Sequence, residues 1–269
     1  MSTQSPGSQS KRVLMLGLGS SGLIGIAACL CLATAVIVAL ILVRARQSPA
    51  AGPVVAYILD ASGRMNSPGN DTQTRLAVAQ AVMAEVIRPS DPGSVSALRV
   101  FGAGAAADAC LDTNLVVPFA PANQANIAAR LPTLAIGPAI DAPLGEAILE
   151  AIRDLAERGG PRSLVVVTGG DDSCKPEVGE LLAQEARRAG IDIETFVVGL
   201  MVDASAAQAI KGAIDQMPGA MYLDAPDEDI LRNILRAIQA RIDDPATTSR
   251  SQIEAAATPL SIAFGHTAL

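Results

Sequence analysis

The residues best placed to do chemistry are Asp60 and Ser62, in the run Tyr57-Ile58-Leu59-Asp60-Ala61-Ser62-Gly63-Arg64-Met65. An apolar strand ends here in an acid, then a hydroxyl, a glycine and a cation. A carboxylate and a hydroxyl spaced in this way can face one ligand above the sheet. In open α/β sheets that crevice, outside the carboxyl ends of the strands, is where ligands bind. Further acids, Asp141, Asp171 and Asp172, follow other apolar stretches. The single histidine is His266, near the end of the 269-residue chain. The body of the chain therefore lacks a Ser-His-Asp triad and a multi-histidine metal site.

Composition narrows the function further. Aromatic residues make up 2% and tryptophan is absent, so no platform exists for stacking single-stranded bases. A formal net charge of −7 argues against nucleic acid, whose phosphates are bound by excess Lys and Arg.

Val13 to Val43 carries no charge and is mostly Leu, Ile, Val, Ala and Gly. At about 1.5 Å per residue it exceeds a hydrocarbon core of about 30 Å, which predicts one transmembrane anchor over 13–43 behind a short N-terminus, 1–12. Inside it, Gly17-Leu18-Gly19-Ser20-Ser21-Gly22 matches a dinucleotide fingerprint. That motif needs an acid about 20 residues on to hold a ribose. No acid precedes Asp60, so no nucleotide site is expected. Ile26-Ala27-Ala28-Cys29 resembles a lipoprotein cleavage box, but the apolar run continues to Val43, which favours a cysteine within a membrane helix. Signal cleavage near Ala50 is a further alternative, although the run is longer than an ordinary signal core. Lys11 and Arg12 nearly balance Arg44 and Arg46, so charge alone leaves the orientation open.

After a linker at 44–53, strand-like and helix-like runs alternate through 54–242. Strands are predicted at Val54–Asp60, Val95–Phe101, Leu115–Phe119, Leu164–Thr168, Ile191–Gly199 and Ala220–Leu223. Helices are predicted at Arg75–Arg88, Ala122–Leu131, Leu144–Arg158, Glu177–Ala189, Ala204–Gln216 and Asp227–Ile242. This alternation implies an α/β fold, a doubly wound, mainly parallel sheet with helices on both faces. The Ala/Thr/Ser-rich remainder, 243–269, reads as a flexible tail.

Together with Ala142-Pro143-Leu144-Gly145-Glu146-Ala147, Val165-Val166-Val167-Thr168-Gly169-Gly170-Asp171-Asp172-Ser173-Cys174 and Ile191-Asp192-Ile193-Glu194-Thr195-Phe196-Val197-Val198-Gly199, the Asp60 segment resembles the von Willebrand factor type A domain, particularly its bacterial membrane-anchored forms. The likeness runs from about Val54 to Ile242. Such domains usually hold Mg²⁺ in a metal-ion-dependent adhesion site built from hard oxygen donors. Asp60 and Ser62 match that site's first two groups. Arg64 stands in place of its second serine, Ala142 in place of its threonine, and Gly169 in place of its later aspartate. The resemblance therefore implies a degenerate site with no metal cofactor, in which the Arg64 guanidinium is expected to occupy or shield the ion's position and to pair with Asp60. The bland alternative leaves Arg64 as a solvated loop residue. A second alternative keeps Mg²⁺ on substitute ligands, Asp60, Ser62, Asp141 and Asp171.

Cys110 and Cys174 are the cysteines outside the apolar segment, and neither has CxxC spacing. They are compatible with a disulfide or with two unrelated thiols. The resemblance suggests a bridge, which implies an oxidising compartment and so places the globular part outside the cytoplasm. The function expected is a non-enzymatic, membrane-anchored, extracytoplasmic module. It would bind a protein or peptide through loops around Ser62, Arg64, Asp141 and Asp171, with Arg64 free to meet a partner's carboxylate.

Overall fold

A computed structural model describes residues 52–87, 93–104, 106–175 and 178–258. The segment 13–43 lies outside the described residues. Among the described residues no helix is long and apolar enough to cross a membrane.

Six strands form one sheet: β1 Val54–Asp60, β2 Val95–Phe101, β3 Thr113–Pro121, β4 Arg162–Thr168, β5 Glu194–Leu200 and β6 Ala220–Ala225. Their order is β3-β2-β1-β4-β5-β6, parallel throughout except for β3, which runs antiparallel along β2. The mainly parallel expectation holds, with one antiparallel edge added. Seven α-helices accompany the sheet among the described residues: α1 Arg75–Val86, α2 Gln124–Arg130, α3 Leu144–Ala156, α4 Val178–Ala189, α5 Ala204–Ile214, α6 Glu228–Asp243 and α7 Arg250–Ala256.

The strand β1 explains the layering. All seven of its residues are buried, as a continuous apolar run in a parallel sheet requires. Alternate side chains leave opposite faces of a strand. Val55, Tyr57 and Leu59 join one core with Leu76, Val82 and Met83 of α1 and Leu231 and Ile234 of α6. Val54, Ala56 and Ile58 join the other, with Ile148 and Ile152 of α3 and Leu182 of α4. Caps set two of the helix starts. The Thr74 hydroxyl accepts from the Ala77 N–H at 3.2 Å, and the Asp227 carboxylate accepts from the Ile230 N–H at 2.8 Å.

One expectation needs correction. The stretch after Asp243 is not a featureless tail, because α7 lies within it. Ser249 and Gln252 form a reciprocal capping box, and Ile253 is fully buried in the α1/α6 core. Arg250 adds hydrogen bonds to the Gly219 and Ala220 carbonyls at 2.9 and 2.7 Å. A seven-residue helix is marginal alone; the buried isoleucine and these anchors hold it.

Candidate functional site

The chain order reverses between β1 and β4, and a doubly wound sheet opens its crevice at such a switch point. Leu59 pairs with Val167, so the next residues, Asp60 and Thr168, emerge side by side. Gly102 adopts φ +71° and packs so closely on Ser62 that a Cβ there would lie 2.7 Å from the Ser62 Cβ. The Gly63 N–H donates to the Ala139 carbonyl and the Gly137 N–H to the Ala61 carbonyl, both at 2.7 Å. Residues 61–64 are thus held between two neighbouring loops.

Asp60 is fully buried and satisfied by the protein itself. Its Oδ1 accepts from the Ser62 N–H at 2.8 Å, and its Oδ2 from the Gly169 N–H at 3.0 Å. Burial pushes its pKa up, against the lowering effect of these donors and of the Ser62 and Thr168 hydroxyls. The Thr168 Oγ1 lies 3.1 Å from Asp60 Oδ2 and 2.7 Å from the Gly170 carbonyl. One hydroxyl proton cannot serve both acceptors. The Ser62 Oγ is buried and reaches no hydrogen bond of good geometry among the described residues.

Arg64 does not pair with Asp60. Its Nη1 donates to Asp171 Oδ1 at 2.5 Å and to the Asp171 carbonyl at 3.2 Å, and its Nε donates to the Ile140 carbonyl at 3.2 Å. The reason is geometric: the Asp60 carboxylate turns down onto the backbone N–H groups at the strand ends. Arg64, on the 3-10 turn Gly63–Asn66, lies instead across Gly170, where an added Cβ would meet its Cδ at 2.8 Å. With 23% of its side chain exposed, it is a seated residue and not a freely solvated one.

The other expected residues scatter. Asp141 is exposed and contacts no described partner. Ala142 is buried and uses its N–H to hold the Ser173 Oγ at 2.8 Å. Gly169 provides the N–H on Asp60, and Met65 covers it so tightly that a Cβ would lie 2.5 Å from the sulfur. Asp171 is committed to Arg64. The substitute set Asp60, Ser62, Asp141 and Asp171 is therefore not brought together. Among the described residues no three His, Cys, Asp or Glu side chains converge. The Ser62 hydroxyl would suit a hard cation, but Arg64, Ala142 and Gly169 offer no side-chain oxygen, and two guanidinium groups stand close by. This donor set does not fit the divalent ion of the ordinary site.

Cys110 and Cys174 are bonded, with Cα atoms 5.5 Å apart. The bridge fastens the loop that follows β4, and that loop is also tied to α3. Asp172 Oδ2 accepts from the Gly145 N–H at 2.6 Å, while Oδ1 accepts from the N–H groups of Cys174 and Lys175 at 2.7 Å each.

A groove of about 700 Å³ opens beside Arg64, walled by Arg75, Gly170, Met201 and Asp203. Met201 sits at φ 53°, a left-handed conformation that costs on the order of 1 kcal/mol for a side-chain-bearing residue and tends to persist at functional sites. Sequence reading missed Thr168, Arg75, Ser173 and Asp203. A polar residue closing the apolar β4 run was a visible signal for Thr168; nothing local marked Arg75.

No family model matches the sequence, and no curated protein matches it. Solved structures do. A von Willebrand factor type A protein from Catenulispora acidiphila superposes with TM-score 0.57 at 16% identity, over 72% of this chain and 43% of that one. The fold is that of von Willebrand factor type A domains. The D319A mutant of the PilB minor pilin from Streptococcus sanguinis gives TM-score 0.57 at 12% identity, over 73% and 62% of the two chains. The pilus adhesin SpaC from Lactobacillus rhamnosus GG gives 0.58 at 14%, over 74% and 31%. The matched region thus spans less than two thirds of each of these chains.

Proposed function

We propose that this chain is a non-enzymatic, membrane-anchored module that binds a protein partner through the top of its sheet without a metal ion. The observation that carries the reading is the seated Arg64, held by Asp171 and Ile140 beside the switch point of the sheet. A guanidinium keeps its charge at any physiological pH and needs no loading. Ile140 beside it is 69% exposed and offers an apolar contact next to the charge. The names of two structural neighbours, a minor pilin and a pilus adhesin, agree with surface display, and the disulfide agrees with an oxidising compartment outside the cytoplasm.

The test is affinity capture from membranes with the full chain and its Arg64→Ala variant, each with and without chelator. The reading expects capture that ignores chelator and weakens in the variant while the unfolding transition stays put. Capture abolished by chelator would overturn metal independence, and capture indifferent to Arg64→Ala would move the binding face elsewhere. The buried Ser62 Oγ, which makes no hydrogen bond of good geometry among the described residues, favours a second reading, a Mg²⁺-dependent adhesion or assembly protein. Calorimetric titration with Mg²⁺ and Mn²⁺ separates the two.

A further inference from the structure

Two arginines flank the Gly169–Gly170 pair, and they are not equivalent. Arg64 already has a carboxylate, that of Asp171. Among the described residues Arg75, the first residue of α1, meets none: its one hydrogen bond to them is from Nη1 to the Gly169 carbonyl at 3.2 Å. Its Nε is buried without a partner among the described residues. Partial burial pulls its pKa down, opposed by the charges of Asp203 and Asp60. Neither acid pairs with it directly. Asp203 spends Oδ1 capping α5, accepting from the N–H groups of Ser205 and Ala206 at 2.9 Å each, and Asp60 is turned onto the strand ends.

The bland reading makes Arg75 an ordinary helix-start residue reaching for water. Its half-buried guanidinium with an orphaned Nε argues otherwise, because desolvated donors left unmade are costly. It also faces the 700 Å³ groove, which is large enough for a peptide side chain.

We infer that the groove at Arg75 is a receptor for a carboxylate of the protein partner, either an acidic side chain or a chain end. The Arg75 guanidinium is the anchoring cation and the Arg64–Asp171 pair forms one rim. This rests on the reading of the sheet top as a partner-binding face and assigns the charge recognition there to Arg75. Charge-assisted hydrogen bonds of an arginine to a carboxylate supply the attraction. The chain's net charge of −7 repels anions in general, so anion capture would be confined to such a built position.

The experiment titrates the full chain with acetate, N-acetylglycine (a chain-end mimic), the α-amide of N-acetylaspartate (a side-chain mimic) and neutral acetamide. Arginine Nε–H resonances are followed, the Arg75 signal being assigned by its loss in Arg75→Gln. A saturable Arg75 shift with carboxylates and none with acetamide is expected, and the stronger of the two mimics identifies the source. Partner capture should fall roughly tenfold in Arg75→Gln, as one charge-assisted contact implies. Arg75→Lys should keep part of it. An unmoved Arg75 signal, or one that acetamide moves equally, overturns the inference. If Arg75 is silent while Arg64→Ala still weakens capture, the receptor is wrong and the partner-binding face stands. If Arg75 responds while neither variant alters capture, the groove binds carboxylates but not the partner's, and the partner-binding reading falls together with that part of the inference.

Discussion

Removing the Cys110–Cys174 bridge, by reduction or by the double change Cys110→Ala and Cys174→Ala, should destabilise the domain without dismantling it. The two cysteines are 64 positions apart, and all of the strand β3 and the helix α3 lie between them. Closing a loop of that size removes about 14 cal/mol/K from the unfolded chain, which is about 4 kcal/mol at 25 °C. The native loops have other ties, so the loss acts mainly through the unfolded state. On one side Asp112 accepts from the Gly104 and Ala106 N–H groups at 2.5 and 3.1 Å; on the other, Asp172 holds the start of α3. Tryptophan is absent, so far-UV circular dichroism is the natural probe of urea unfolding for the full chain in detergent. With a urea slope of about 2–3 kcal/mol/M, the midpoint should drop by roughly 1.5–2 M while the native spectrum is kept. A midpoint shift below about 0.3 M would refute the loop-closure reasoning. Labelling of Cys110 and Cys174 themselves in the unreduced protein would refute the bridge, whereas labelling of Cys29 and Cys31 would not.

Gly170→Ala would place a methyl group 2.8 Å from the Arg64 Cδ, and the flexible arginine should swing away from Asp171. Stability should change by no more than about 1 kcal/mol, the range for partly exposed ion pairs, while capture drops as in Arg64→Ala; undiminished capture would show that the seat of the guanidinium is irrelevant. Asp60 has a folded pKa above its ordinary 3.8, so the folded state binds the extra proton between the two values. Stability should therefore fall as pH rises from 3.8 through that raised pKa and level off beyond it. Urea midpoints against pH should show this slope in the wild type and lose it in Asp60→Asn, and identical slopes would exclude Asp60 as the cause. Ile253→Ala should cost about 2 kcal/mol or more and expose 244–258 to limited proteolysis, since it empties a fully buried site. An unchanged cleavage pattern would mean α7 does not depend on that anchor.

Much of the fold was readable from periodicity. Val54–Asp60 and Val95–Phe101 are strands at the boundaries that their apolar runs suggest, because a strand buried on both faces admits few polar residues. The apolar run predicts a strand from Ile191, whereas the strand begins at Glu194, a difference of the size that element ends commonly show. The helix α7 escaped because it carries a single core isoleucine, although the Ser249–Gln252 capping pair was a legible start signal.

The replacement of three oxygen-bearing positions by Arg64, Ala142 and Gly169 is a property of the sequence alone, as are the apolar runs and the two loop cysteines. Which carboxylate each arginine meets is not. Asp60 is four residues from Arg64 and yet is consumed by backbone N–H groups, whereas Asp171, 107 residues away, receives the guanidinium. Arg75 becomes notable only when the start of α1, the loop after β4 and the loop after β5 meet around one groove. Side-chain type is written residue by residue, but desolvation and pairing depend on distances between loops that the chain brings together only on folding.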